Sequence, residues 1–263
     1  GTSDLRIRRA AREVLEKGTV PYPDQMFTGE VFVGKRRLDL DFDGQTLTRL
    51  DDGSYKLNLF HDHFKVGCEL VFTPKMAPVR HGRDGVVRGT MGEDMFYYFI
   101  PQCEVSGTVT LEGGKLPVVK GQGWYDHEFG RHGHDVREGQ VADVAWNWLA
   151  IQFDDGRQLS AYTLVDENTS DIIDERALVI EADGHVNYYD DITFEGLNLW
   201  RSTRTFQEYP TRWRLTVPGA GLALNVAGTF DDQEFVTLIS KPAFWEGRVD
   251  VDGTYEGRPV TGV

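Results

Sequence analysis

The sequence contains little cysteine and no long apolar run. Only Cys68 and Cys103 are present, and they are not in C-x-x-C spacing, which argues against zinc ribbons and dithiol redox centres but leaves their pairing open. No apolar run approaches the roughly 18 residues that a membrane-spanning helix needs, and the N-terminus lacks the apolar centre of a signal peptide. We therefore expect a soluble chain without membrane insertion, either cytoplasmic or exported after removal of a leader. The oligomeric state stays open.

Basic side chains and nucleotide motifs are also scarce. The chain has 28 Lys and Arg against 42 Asp and Glu, a formal net charge of -14. Such a charge repels phosphate backbones, so nucleic acid is not expected as a partner. There is no P-loop, no G-x-G-x-x-G after a strand and no G-x-S-x-G elbow. No cofactor is predicted, and a serine-hydrolase mechanism has no support.

Turn-forming Asp-Gly and Gly-Gly pairs recur between short segments rich in Val, Thr, Tyr and Phe. This pattern predicts an all-β fold, preceded by one short helix over residues 3–17, where apolar residues have helical spacing. The strand candidates outnumber the strands of a single lipocalin-sized barrel. We therefore predict two lipocalin-like antiparallel β-barrels with a boundary between about Phe129 and Val144. The expected domains are residues 1–135, with the helix, and residues 136–263.

The segment GQGWYDHEFGRHGHD, residues 121–135, is rich in histidine and acidic residues. If it begins as a strand, alternation places Trp124, Asp126 and Glu128 on one face. Two carboxylates shielded from water raise each other's pKa, so one of them could stay protonated near neutral pH and act as a general acid. The alternative is structural: Asp126 and His127 could cap a turn by binding backbone amides.

A metal site in the same segment would use three histidines, His127, His132 and His134, with a neighbouring carboxylate. Their spacing matches no zincin pattern, and a solvated loop of histidines explains it equally well. The His-Asp-His run at residues 61–63 is ambiguous in the same way. We therefore predict that no metal is bound.

Aromatic residues are the second signal. Trp146 and Trp148 lie two apart on one predicted strand, so their rings face the same way, and Tyr98 could join them inside a barrel. With Trp124 and Trp245 they form the predicted substrate-binding set. Such a surface suits an apolar ligand and can stabilise a carbocation by cation–π attraction. An aromatic core is the alternative.

Two motifs, G-x-G-W-x-D-H-E-F-G and W-N-W-L-x-I-Q-F-D-D-G, lie in a chain that from about Lys56 to Val263 resembles the AttH/carotenoid 1,2-hydratase (CrtC-like) family. The resemblance implies two lipocalin-like barrels. It also implies acid-catalysed hydration of isolated terpenoid double bonds or, as in fungal relatives, pericyclic cyclisation. The family's motif aspartate falls on Asp126. Carotenoid hydratases have other residues at the positions of His127 and Glu128, so the chain is closer to the AttH branch.

These observations predict a metal-free lyase, hydratase or cyclase for an apolar, isoprenoid- or polyketide-like small molecule. Asp126 is the expected acid, tuned by His127 or Glu128. One alternative is a carrier that binds a hydrophobic ligand in the same aromatic pocket without chemistry. Another is a hydrolase with paired carboxylates, although adjacent carboxylates on one strand are awkwardly placed to flank a scissile bond.

Overall fold

The computed structural model describes residues 31–62, 64–82, 84–88, 94–130, 144–166, 169–236 and 243–263. The helix predicted over residues 3–17 lies outside these ranges. Within them, every regular element is a β-strand except a single turn of 3-10 helix at Pro218–Ala220. All strand pairings described are antiparallel. The predicted all-β class is confirmed.

The first ten strands form one sheet. They are β1 (Val31–Val33), β2 (Asp39–Phe42), β3 (Gln45–Arg49), β4 (Tyr55–His61), β5 (Val66–Pro74), β6 (Val79–Arg80), β7 (Val86–Arg88), β8 (Asp94–Leu111), β9 (Gly114–Pro117) and β10 (Gly121–Gly130). The main path runs β1-β2-β3-β4-β5-β8-β10, and the short strands β6, β7 and β9 also pair with β8. Local sequence explains the hairpins: Asp43 and Gly44 both have positive φ, as a two-residue type I′ turn requires.

Three smaller sheets follow. The second sheet runs in order β11 (Val144–Gln152), β12 (Gln158–Asp166), β13 (Ile172–Ile180) and β14 (Val186–Tyr189). The third contains β15 (Thr193–Arg201), β16 (Glu208–Val217), β17 (Leu222–Gly228), β20 (Val249–Tyr255) and β21 (Arg258–Gly262). A two-stranded sheet pairs β18 (Glu234–Val236) with β19 (Ala243–Trp245). No helix in the described ranges is long and apolar enough to cross a membrane.

The chain divides into two compact units by its internal contacts. One unit is Phe27–Asp191, described from residue 31, and it contains the first and second sheets. The other includes Ile192–Val263, with the third sheet and the β18–β19 pair. The boundary predicted between Phe129 and Val144 falls almost entirely on residues 131–143, outside the described part of the chain. It stays a prediction.

Strand β8 has a separate hydrophobic cluster on each of its two faces, because successive side chains alternate. Phe99 is fully buried with Val79 and with two residues of the second sheet, Leu178 and Ile180. Ile100, its neighbour, is buried instead with Tyr55 and other residues of the first sheet. The face of β8 that carries Phe99 therefore packs against the second sheet, and the site described below lies on that face.

A bulge in β10 is held by a side chain from the second sheet. The pairing of β10 with β8 shifts between Gly123 and Tyr125, on either side of Trp124. Gln152, at the end of β11, donates hydrogen bonds from Nε2 to the carbonyl oxygens of Pro101 at 2.8 Å and Gly123 at 3.1 Å. Bulges re-aim side chains near functional sites. Gln152 thus ties the second sheet to the bulge that orients Trp124.

We expect Gln152→Ala to lower the free energy of unfolding by about 1–3 kcal/mol, because two carbonyl oxygens beside the bulge lose their donor. Urea unfolding measures the loss. Asn147→Ala is the matched control: it removes a polar side chain from the same strand, and within the described ranges that side chain bonds only to Thr163 Oγ1, at 3.2 Å. We expect a smaller loss of stability in Asn147→Ala. Equal losses in the two variants would contradict a special contribution of the Gln152 hydrogen bonds.

Candidate active site

Strand β10 divides the predicted catalytic residues between its two faces. The indole N–H of Trp124 donates to Asp126 Oδ1 at 2.9 Å, so these two side chains share a face. The His127 ring lies against Tyr125 and Phe129, with centroids 6.1 and 5.1 Å away. The alternation predicted from sequence is therefore confirmed. It places His127 and Asp126 on opposite faces of β10, so the catalytic role of His127 stays a prediction.

Asp126 accepts two hydrogen bonds at one carboxylate oxygen. Besides Trp124, the hydroxyl of Tyr97 donates to Oδ1 at 2.7 Å. Phe99 lies opposite Asp126 in the β8–β10 register and Tyr97 lies opposite Glu128, so Tyr97 reaches Asp126 diagonally. Hydrogen bonds donated to a carboxylate stabilise its ionised form. The arrangement fixes the position of the Asp126 carboxylate.

Burial and the charge of Asp126 shift the pKa values of the neighbouring groups Glu128 and Tyr97. Partial burial of the carboxyl group and, second, the charge of Asp126 raise the pKa of Glu128. Its side chain nevertheless keeps contact with solvent. Burial, followed by Asp126, also raises the pKa of Tyr97 far above its usual range, so Tyr97 stays a hydroxyl donor. Glu128 therefore holds a proton more readily than an ordinary glutamate, in contact with water.

Aromatic rings pack on Trp124, the indole that donates to Asp126, while both carboxylate side chains are exposed. Phe99 stacks on Trp124 with ring centroids 4.8 Å apart and an interplanar angle of 16°. Trp148, from the second sheet, meets Trp124 edge to face at 6.5 Å. Trp146, two residues earlier, is 59% exposed. Of the predicted aromatic set, Trp124 and Trp148 are thus brought together beside Asp126.

The indole N–H of Trp148 is a buried donor that, among the described residues, lacks a partner in hydrogen-bonding geometry. It lies close enough to the Tyr97 hydroxyl to oppose slightly the rise in the pKa of Tyr97. Buried polar groups are normally bonded, so an unpartnered donor calls for an explanation such as a bound water or ligand. The donor lies near the Tyr97 hydroxyl, which in turn bonds to Asp126.

Tyr98 belongs to the opposite face of β8. Its hydroxyl lies 2.9 Å from His127 Nδ1, and the hydroxyl of Tyr125 lies 3.3 Å from the same nitrogen. Tyr125 in turn stacks on Tyr55 at 4.7 Å within the first sheet. The ring contacts of Tyr98 are therefore with Tyr125 and His127. Its predicted grouping with Trp146 and Trp148 has no contact that supports it.

Trp245 lies in the other compact unit. Its indole N–H donates to the carbonyl oxygen of Asp231 at 2.7 Å, and its ring packs on Trp213 with centroids 5.2 Å apart. Both contacts are structural within that unit. The role predicted for Trp245 in substrate binding stays a prediction.

Metal ligands are not assembled in the described part of the chain. There, no group of three or more His, Cys, Asp or Glu side chains is arranged to hold an ion. Two histidines of the predicted alternative, His132 and His134, lie outside the described residues, so the absence of a metal stays a prediction. Cys68 and Cys103 are both free thiols, and burial raises the pKa of Cys103 to about 11.

Sequence reasoning missed His81, which is fully buried behind Tyr97. The imidazole stacks on the Tyr97 ring with centroids 4.6 Å apart and an angle of 16°. Its Nε2 lies 3.1 Å from Ser160 Oγ on the second sheet. Burial and, second, the charge of Arg176 lower the pKa of His81 to about 4, partly opposed by Asp174. His81 is therefore neutral at physiological pH.

We expect acid to destabilise the protein through His81. The pKa falls from 6.5 in an unperturbed histidine to about 4 in the fold, so between these values the unfolded chain binds a proton that the folded chain does not. The contribution of His81 to stability is then full above about pH 6.5 and falls until the pH reaches about 4, by roughly 3 kcal/mol at about 1.4 kcal/mol per unit of pKa. The polar and charged groups around the imidazole are the Ser160 hydroxyl, the phenol rings of Tyr97 and Tyr162, and the Asp174–Arg176 pair.

Urea unfolding at about pH 7.5 and at about pH 4.5 measures this dependence. His81→Phe should make the loss of stability on acidification clearly smaller than in the unaltered protein. His185→Gln replaces an exposed histidine and should leave the pH dependence unchanged. The same slope in the His81 variant and the unaltered protein would contradict the assignment.

Comparison with known proteins supports the fold class and shows the family. Two solved structures share this all-β, lipocalin-like architecture. A protein of Nitrosomonas europaea assigned to AttH has a TM-score of 0.72 and 26% identity, over 85% of this chain and 68% of that one. Kievitone hydratase from Nectria haematococca has a TM-score of 0.71 and 20% identity, over 86% and 68%, which shows the fold alone.

The AttH-like family profile matches residues 23–261, nearly the whole chain. The protein belongs to the AttH-like family, and the resemblance seen in the motifs is confirmed. Kievitone hydratase of Fusarium solani subsp. phaseoli is 26% identical over 175 residues, 62% of this chain. That match covers 45% of the hydratase, so it spans less than half of the relative's length.

Proposed function

We propose that the protein is a hydratase that adds water to a carbon–carbon double bond of a hydrophobic small molecule by acid–base catalysis. One observation carries the proposal: Asp126, held by two donors on one oxygen, lies beside Glu128, whose pKa is raised. Paired carboxyl groups whose environments push their protonation apart supply an acid and a base to one reaction. The similarity to a kievitone hydratase supports the same class of reaction.

In this mechanism one carboxyl group donates a proton and the other accepts one. Glu128, protonated, donates its proton to one carbon of the alkene, and the electron pair of the double bond forms the new C–H bond. A carbocation remains on the other carbon. Water attacks that carbon and loses a proton to the carboxylate of Asp126, and the proton returns to Glu128 through solvent. One water is consumed, and both carboxyl groups end in their starting states.

This assignment differs from the sequence-based hypothesis, in which Asp126 is the acid and Glu128 only tunes it. The Tyr97 hydroxyl and the Trp124 indole stabilise a negative charge on Asp126, which suits a base. Glu128 accepts no comparable pair of bonds among the contacts described, and burial favours its protonated form. The acid is therefore the carboxyl group with the raised pKa.

The surrounding rings have a role in the same reaction. The faces of Trp124 and Trp148 offer negative π density to a developing carbocation, which cation–π attraction stabilises by about 0.5–2 kcal/mol per ring. The buried indole N–H of Trp148, which has no partner in hydrogen-bonding geometry within the described part of the chain, can donate to an oxygen atom of the substrate or to the attacking water. The aromatic surface thus contributes to both binding and charge stabilisation.

Turnover of kievitone by the full chain is the direct test. The expected product is heavier by one water, and it contains heavy oxygen when the reaction is run in labelled water. Binding of kievitone without turnover would instead favour a carrier. If a panel of isoprenoid and polyketide alkenes is neither hydrated nor dehydrated, the proposed function is wrong.

A further inference from the structure

His81 joins the candidate site to the second sheet. Its backbone N–H donates to the carbonyl oxygen of Tyr97 at 2.9 Å, while its imidazole stacks on the Tyr97 ring at 4.6 Å. On its other side the imidazole bonds to Ser160, which is itself fully buried. The Tyr97 ring therefore lies against a surface anchored to β12, and its hydroxyl points to Asp126.

Packing alone does not explain why a histidine occupies position 81. The imidazole is completely buried, and its Nδ1 has no hydrogen-bond partner among the described residues. Burying a polar atom without a partner costs free energy that an apolar side chain of similar size avoids. Such an exception calls for a reason, and the observed contacts with Tyr97 and Ser160 suggest one.

The surroundings keep this imidazole uncharged. The hydroxyl of Tyr162, whose ring lies 4.8 Å from His81, donates to Asp174 at 2.6 Å. Asp174 also pairs with Arg176 at 3.4 Å. The carboxylate whose charge acts on His81 is thus already engaged by a hydroxyl and a guanidinium. A neutral ring can lie flat on the Tyr97 phenol in this dry setting without the cost of a buried charge.

We propose that His81 is a positioning residue that holds the Tyr97 hydroxyl on Asp126. It acts through Tyr97 and does not touch the carboxyl groups of the site. Its effect on the geometry is independent of the reaction, whereas its effect on turnover rests on the proposed hydratase function. The two can therefore be tested separately.

The geometric claim is tested by NMR of the Tyr97 hydroxyl proton in protein labelled at the tyrosine ring carbons. A buried hydroxyl bonded to a carboxylate exchanges slowly with water, and Tyr97→Phe identifies its signal by removing it. We expect His81→Ala to speed this exchange about tenfold or more, because the ring loses the surface on which it stacks. We expect His81→Phe, which keeps an aromatic surface, to restore slow exchange to within about threefold.

Ile180→Ala is the matched control. It removes a fully buried side chain from the hydrophobic cluster of the same unit, but Ile180 makes no ring contact with Tyr97. In Ile180→Ala, the Tyr97 hydroxyl proton should exchange at the native rate although the stability of the protein falls. If Ile180→Ala and His81→Ala speed exchange equally, or if His81→Ala leaves it unchanged, His81 only fills the core and the proposal is overturned.

The kinetic claim uses kievitone as the substrate, well below the unfolding temperature of each variant. We expect His81→Ala to lower kcat by about tenfold to 10²-fold with KM nearly unchanged, and His81→Phe to recover most of the loss, because misplacing a catalytic group mainly slows the chemical step. Loss of slow exchange with native kcat would contradict a role of Tyr97 positioning in turnover. Absence of turnover in the unaltered protein would count against the proposed function and leave the NMR result decisive for His81.

Discussion

Asp126→Asn is expected to lower kcat/KM for hydration by about 10²- to 10⁴-fold, the usual contribution of a positioned acid or base. Asparagine keeps the shape of the side chain and can still accept from Tyr97 and Trp124 through its carbonyl oxygen. It cannot take a proton from the attacking water. It also removes the negative charge that contributes to the raised pKa of Glu128. Both effects slow the reaction, while binding of the substrate is largely kept.

Steady-state kinetics with kievitone, together with a binding titration and a melting curve, separate the possible causes of a loss. Asp191→Asn is the control, since it changes an exposed aspartate of the same unit. Joint loss of folding, binding and activity in Asp126→Asn would show that Asp126 is a structural residue. Native activity would place the base elsewhere.

Glu128→Gln is expected to cause a loss of similar size, about 10²- to 10⁴-fold in kcat, because an amide cannot deliver a proton to carbon. The pH dependence gives a sharper result. A general acid works in its protonated form, so kcat in the unaltered protein should fall as the pH rises through the raised pKa of Glu128. In Glu128→Gln that descending limb should disappear.

Glu112→Gln, at an exposed turn position, should keep both the native rate and the native pH profile. If Glu128→Gln reduces activity only slightly and Asp126→Asn abolishes the descending limb, Asp126 is the acid, as the sequence alone suggested. The two variants thus decide between the two assignments of the proton.

The sequence predicted correctly what depends on local alternation. The period of a strand was enough to place Trp124 and Asp126 on one face and His127 on the other, and the indole of Trp124 does bond to Asp126. The turn pairs likewise predicted an all-β fold. Both inferences need only residues that are neighbours in the chain.

The choice between Tyr97 and Tyr98 could not be predicted in that way. The two tyrosines are adjacent, and which one reaches Asp126 is decided by the register of β8 against β10, including a bulge at Trp124. The sequence contains no local signal for that register. For the same reason the donation from Tyr97 to Asp126 was not foreseen, and the assignment of the acid to Asp126 stays a prediction that the proposed mechanism replaces with Glu128.

His81 was missed because its partners are distant in the chain. Ser160, to which it bonds, is 79 positions away, and Arg176 and Asp174 lie further still. An isolated histidine between Arg80 and Gly82 has no pattern that separates it from a surface histidine. Only the packing of the second sheet on β8 buries it and lowers its pKa.

The adjacency of Tyr97 and Tyr98 also constrains which insertions and deletions strand β8 can accept in this family. A strand that gains or loses one residue turns every later side chain to the other face. A single insertion or deletion that slipped the register of β8 would put Tyr98 and Phe99, or Phe96 and Tyr97, in the places of Tyr97 and Tyr98, so only one of Asp126 and His127 would keep a tyrosine hydroxyl. Relatives whose alignment requires an odd gap at this strand should therefore differ in chemistry, however similar their motifs, whereas loop lengths beyond β8 can vary without that effect.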